Sequence, residues 1–151
     1  MRLLLFFLLV WSGSCFAIQT SDVIGTWRYV SYLYHGQINP LPNPDLELLF
    51  KFDTKGIMTI SWTRKNDTGF CEAESSFQIV NNQLISQVTK TNPKNTIECS
   101  MDPDMQVGKK STDPIELRDN QLFLNIGLSG EDFYYIFDLI DTNVNPRAQS
   151  Y

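Results

Sequence analysis

The sequence predicts an all-β domain of eight or nine short antiparallel strands, arranged as a barrel or a sandwich. Three observations carry that reading. Apolar side chains alternate with polar ones at period two in successive segments, which marks strands with one buried face. Small groups of Asn, Asp and Gly interrupt those segments at short intervals. No stretch holds a 3.6-residue apolar stripe over three turns, which argues against a helical bundle.

The elements follow in order. Thr20-Ser21-Asp22 supplies capping chemistry for one helical turn. Gly25-Thr26-Trp27 comes next, and residues 28–34, rich in Tyr and Val, form the first strand. Leu46, Leu48, Phe50 and Phe52 share one face of the next strand, alternating with Glu47, Leu49 and Lys51. Asp53-Thr54-Lys55-Gly56 is turn chemistry, with Gly available for positive φ. Met58, Ile60 and Trp62 line the returning strand, completing the clearest hairpin in the chain. Residues 70–80 make a long strand, Asn81-Asn82 turns it, and residues 84–89 return. After the break at Asn92-Pro93-Lys94-Asn95, residues 96–101 are expected to form a short strand carrying Cys99, and residues 102–113 a polar loop. A short strand at 115–118 turns at Asp119-Asn120. Leu122, Leu124 and Ile126 then alternate with Phe123 and Asn125. Ser129-Gly130-Glu131 makes the last turn, and Phe133, Tyr135, Phe137 and Leu139 form the final inward row. Residues 142–151 are expected to be a flexible tail.

Composition bounds the function. The chain has 151 residues, 42% hydrophobic and 19% charged, which suits one folded domain and not a disordered segment. Its net charge of −5 argues against a nucleic-acid partner, since phosphate contacts need a basic face. Residues 1–17 read as a secretory signal peptide: Arg2, an apolar run over 3–11, then the small and polar Ser12-Gly13-Ser14-Cys15-Phe16-Ala17. Cleavage after Ala17 leaves a domain over 18–141, secreted or periplasmic. The alternative is processing at Cys15 as a lipoprotein cysteine, which would anchor the chain by lipid. The apolar run is shorter than the roughly 20 residues that span a bilayer, and no other segment approaches that length. Removal of the leader takes Arg2 and Cys15 with it, so the charge becomes −6 and Cys71 and Cys99 remain. An even cysteine pair in an exported chain reads as a disulfide. A metal or redox pair is the alternative, but the sequence has no CxxC and one histidine.

The residues that carry chemistry elsewhere are sparse. His35 stands alone near Gly36, without a Gly-x-Ser-x-Gly elbow, and reads as a solvated loop side chain. Asp53, Asp67, Asp102, Asp104, Asp113 and Asp119 are assigned to turns and loops. Glu72 and Glu74 share a strand face and read as a solvated pair. Asp102-Pro103-Asp104 lacks the Gly and closing Glu of an EF-hand loop. The sequence holds no P-loop, dinucleotide fingerprint or zinc motif. Neither a catalytic residue, a metal site nor a cofactor is therefore expected. Asn66-Asp67-Thr68 is a glycosylation sequon, relevant in a eukaryotic source.

A family resemblance adds to this reading. Ile24-Gly25-Thr26-Trp27 resembles the Gly-x-Trp motif that opens lipocalins and their calycin relatives. Residues 48–58, from Leu48 through Phe50, Phe52 and Gly56 to Met58, look like the second and third strands of bacterial lipocalin-like domains. Residues 132–137, Asp132 to Phe137, look like their last strand. The resemblance spans most of residues 22–140. It implies an eight-stranded up-and-down barrel, open at one end, whose members mostly bind apolar ligands and in some cases proteins. It also implies an Arg packed over the motif Trp, for which Arg118 and Arg147 are the candidates.

On that fold, Trp27 plugs the closed end and Gly25 lets the backbone pass close by. Phe50, Phe52, Met58, Trp62, Tyr135 and Phe137 point inward as candidate ligand-binding lining. The same side chains can instead fill the barrel themselves. Two functions stay open. One is a binding protein for a small hydrophobic molecule. The other is a non-enzymatic protein-interaction or inhibitor module on a filled barrel, using loops such as 102–113.

Overall fold

Nine antiparallel strands succeed one another in a single sheet that closes on itself. The computed structural model describes residues 17–66, 69–128 and 130–142. Residues 1–16 of the expected leader, with Cys15, most of the sequon, Ser129 of the last turn, Arg147 and nearly all of the expected 142–151 tail lie outside the described residues. The strands are β1 (Gly25–Tyr34), β2 (Gln37–Pro40), β3 (Leu46–Phe52), β4 (Ile57–Arg64), β5 (Phe70–Val80), β6 (Gln83–Thr91), β7 (Lys110–Arg118), β8 (Gln121–Asn125) and β9 (Phe133–Asp141). Each of β3 to β9 pairs with its sequence neighbour, and β9 returns to pair along β1. Strand β3 pairs with residues 25–28 of β1, and β2 with residues 31–34, so both share one edge of β1. The result is a closed barrel of eight strands with β2 as a short addition. The sandwich alternative falls away, because the two outermost long strands hydrogen-bond to each other.

Tight turns set the register. His35-Gly36, Asn81-Asn82 and Asp119-Asn120 each place two successive residues at positive φ. Such turns match the twist of the flanking strands, and Asn, Asp and Gly tolerate that backbone region best. A bulge at Val30 shifts β1 by one residue against β9. The shift lets Trp27 and Tyr29 below it, and Tyr32 above it, all face the interior.

Most of the core sits at the end where β1 begins. Val23, Phe52, Ile115, Leu122 and Phe137 are fully buried there beside Trp27, Met58, Phe77 and Leu84. A single 3-10 turn, Thr20–Val23, closes this base. Asp22 braces it from within, its carboxylate accepting the Gln19 N–H at 2.8 Å. Trp27 donates its indole N–H to the Val23 carbonyl at 2.7 Å, tying plug to closure. Gly25 has φ +142°, and a Cβ there would lie 2.7 Å from Leu139 Cδ1 and 2.8 Å from the Asp141 carbonyl oxygen. Gly25→Ala is expected to destabilise the fold by about 1–3 kcal/mol through that strain, read as a lowered thermal midpoint.

Three expectations need correction. Residues 96–101 do not form a strand. They form a short helix, α1 (Ile97–Met101), capped by Thr96, whose Oγ1 accepts the Cys99 N–H at 3.3 Å. Asp102 then caps a 3-10 turn, Pro103–Met105, by accepting the Asp104 N–H. Local capping by Thr, Asp and Pro outweighs the strand preference of Ile97. The loop also ends earlier than expected, because β7 starts at Lys110 and takes in Asp113. Leu139, expected inside, lies at the rim of the base against Gly25 and stays 37% exposed.

Arg118 does not reach Trp27. Its guanidinium lies 4.7 Å over the Phe123 ring and pairs with Glu116. Phe123 and its register partner Ile136 are buried on the opposite side of their strands from the core row Leu122, Leu124 and Phe137. The exterior of β8–β9 thus carries its own small apolar patch, covered in part by Arg118.

Candidate functional site

The upper end of the barrel is roofed on one side by the 92–109 connection. Cys71, buried on the inner face of β5, is disulfide-bonded to Cys99 of α1, with Cα atoms 5.4 Å apart. Cys99 and Met105 pack against Ala73 and Val88, with Ile60 and Trp62 beside them. This second core is separate from the base core. It exists because the disulfide and the two short capped turns fold the connection inward.

Between the two cores lies a cavity of about 370 Å³. That is within the roughly 300–1,000 Å³ typical of small-molecule sites. Phe50, Met58, Leu84 and Leu124 form its apolar floor and side, and Ile60, Val88 and Ile126 continue that surface upward. Ser75, Ser86, Ser111 and Asp113 form a polar wall on β5, β6 and β7. Asp104 and Lys109 stand at the mouth, paired at 2.9 Å. Ser86 and Ser111 are register partners, their hydroxyls 2.9 Å apart. The Ser75 hydroxyl is buried with no hydrogen-bond partner among the described residues. Burial pushes the Asp113 carboxyl above its ordinary pKa, although a hydrogen bond from Ser111 opposes the shift.

The predicted lining residues divide among three places. Phe50 and Met58 border the cavity. Phe52 and Phe137 are buried in the base core. Tyr135 is half-buried in an aromatic stack, its ring 4.6 Å from that of Tyr29 and in contact with Phe133 and Phe137. Burial raises the phenol pKa of both Tyr29 and Tyr135, so these rings stay neutral. Trp62 packs on the disulfide core, with the Arg64 guanidinium 5.1 Å over its ring. Gly25 and Trp27 occupy the base, and Cys71 and Cys99 the roof.

Sequence reasoning passed over the polar wall. Asp113 and Ser111 fell in the expected 102–113 loop and Ser75 and Ser86 were given no role, although Ser75 has the same strand parity as Cys71, Ala73 and Phe77. Parity was the signal available to find it. His35 is exposed, stacks on Tyr34 and meets Glu131 at 2.5 Å, which links the β1–β2 and β8–β9 turns. Glu74 pairs with Lys90, and Glu72 accepts from Asn92, both outside the core clusters. Among the described residues, no cluster of three or more His, Cys, Asp or Glu is placed to hold a metal. Among them, too, no helix is long and apolar enough to cross a membrane.

No family model and no curated protein matches the sequence. Among solved structures, the chain is similar to a lipocalin-like protein from Bacteroides uniformis, with a TM-score of 0.52 and 16% identity. The match covers 79% of this chain and 99% of that one. At that identity the likeness bears on the fold, and it agrees with the closed ring of consecutive antiparallel strands: this chain has a lipocalin-like β-barrel fold.

Proposed function

We propose that this chain is a secreted or periplasmic, non-enzymatic binding protein that holds a small, largely hydrophobic molecule inside its barrel. One observation carries the reading. The cavity between the base and roof cores has an apolar floor and a polar wall, and that wall includes a buried hydroxyl with no partner. A side chain that only filled the barrel would need no such polar group, and an unpaired one costs about 1–3 kcal/mol. The leader-like residues 1–17 and the Cys71–Cys99 disulfide support export. So does Ile18, whose backbone N–H donates to Asn82 Oδ1 at 2.9 Å, seating the residue after the proposed cleavage site.

Calorimetric titration of the processed protein with 1-octanol tests the proposal. Saturable binding is expected, together with co-purified small molecules in native mass spectrometry. Ile60→Phe fills part of the cavity and is expected to weaken octanol at least tenfold while the protein stays folded. Absence of binding to octanol, or binding untouched by Ile60→Phe, counts against the cavity as the site.

A second reading has its own observation. Ile97 and Met101, four residues apart on one face of α1, are 76% and 75% exposed. A protein partner seated on the roof would cover them. Loss of a defined partner on Ile97→Asp, with octanol binding intact, would favour that reading.

A further inference from the structure

The polar wall of the cavity has a direction. Ser86 and Ser111 share one hydroxyl–hydroxyl hydrogen bond of 2.9 Å, in which either can donate, and each hydroxyl offers one proton against two lone pairs. The Asp113 carboxylate brings further acceptor sites, and the Ser75 hydroxyl accepts as well as donates. The wall is therefore richer in acceptors than in donors. Ser75 is 1% exposed, lines the cavity and is unpartnered, which makes it a group waiting for a ligand atom.

The charges around Asp113 point the same way. Asp104 stands close enough to disfavour its ionised form. Lys109 acts on it favourably but weakly, since the Lys109 ammonium is already engaged with Asp104 at 2.9 Å. Lys110 lies at the cavity rim and is exposed. Among the described residues, the half-buried carboxylate of Asp113 thus has no cation dedicated to it.

We infer that the cavity takes a small amphipathic amine, its ammonium head against Asp113, Ser75 and Ser86 and its apolar tail on Phe50 and Leu124. An ammonium brings three donors and one positive charge, which answers both the acceptor excess and the unneutralised carboxylate. The inference rests on the cavity being the ligand site, and it names the head group that site prefers.

Three probes with one tail separate the two statements: octylamine, 1-octanol and octanoate, titrated calorimetrically at pH 7 into the processed protein. Octylamine is expected to bind at least tenfold tighter than octanol, and octanoate weakest. Asp113→Asn should bring octylamine to within about threefold of octanol, and Ser75→Ala should weaken octylamine several-fold. Octylamine affinity should fall as acid protonates Asp113, with octanol unchanged. Octanoate binding as tightly as octylamine, or an amine advantage that survives Asp113→Asn, overturns the head-group assignment and leaves the cavity reading standing. Failure of all three probes overturns both.

A stability measurement gives an independent arm. The fold raises the Asp113 pKa, so the ionised group opposes folding above that pKa and not below the ordinary carboxylate range. The empty Asp113→Asn protein should melt higher than the parent at neutral pH, and the difference should vanish in acid. A substitution that stabilises the empty protein while weakening the amine marks a group held for binding. Equal or lower melting of Asp113→Asn at neutral pH would count against that role.

Discussion

Trp27→Ala is expected to lower folding stability by about 3–5 kcal/mol, the usual cost of deleting a large aromatic from a packed core. Trp27 is 2% exposed and fills the base among Val23, Phe52, Phe77 and Ile115. Its loss would open a void where the 3-10 turn Thr20–Val23 meets the barrel interior. The indole also donates to the Val23 carbonyl at 2.7 Å. Trp27→Phe keeps most of the ring and loses that bond, so a smaller cost of about 1–2 kcal/mol is expected. Urea denaturation of the two variants separates packing from hydrogen bonding. If both lie within 1 kcal/mol of the parent, taken as roughly one ordinary hydrogen bond, Trp27 is not the plug.

Removal of the disulfide is the second large effect. Cys71 and Cys99 are 28 residues apart in sequence, and a loop of that size restricts the unfolded chain by roughly 3–4 kcal/mol in the chain-entropy treatment. Cys71→Ala with Cys99→Ala is expected to lose about that much, read as a shift in denaturation midpoint. Alanine is the substituent of choice, because both positions are buried and a serine hydroxyl there would need a partner. The double variant has a further consequence. The disulfide holds α1 against Ala73 and Val88, and Asp104 sits in the 3-10 turn that directly follows α1. Freeing α1 loosens one wall of the cavity mouth. Octanol affinity should therefore fall in the double variant, while Trp27→Phe, acting at the far end, should leave it unchanged.

The two residue groups were unequally legible before the structure. The Gly25–Trp27 motif and the parity of Phe50, Phe52 and Met58 announced an inward row, because strand alternation is a local property of the chain. Parity says which face a side chain takes, not what stands across from it. Phe52 meets Phe77 in the base, Phe137 meets Phe50, and Tyr135 meets Tyr29. Trp62 meets the disulfide core. Those encounters depend on strands far apart in sequence. Residues 96–101 show the opposite failure. Ile97 and Cys99 suggested a strand, and the capping hydroxyl of Thr96 with the Asp102-Pro103 stop produced a helical turn instead.

Read alone, the amino-acid order determined the all-β class, the tight turns at Asn81-Asn82 and Asp119-Asn120, and the pairing of Cys71 with Cys99. Each follows from backbone preference or from counting, and neither needs a third dimension. Barrel closure was decided by β9 hydrogen-bonding to β1, more than a hundred residues away in sequence. The cavity and its acceptor-rich wall were decided in the same way. Ser75, Ser86, Ser111 and Asp113 sit on three different strands, and only the curvature of the closed sheet turns their polar atoms toward one shared space.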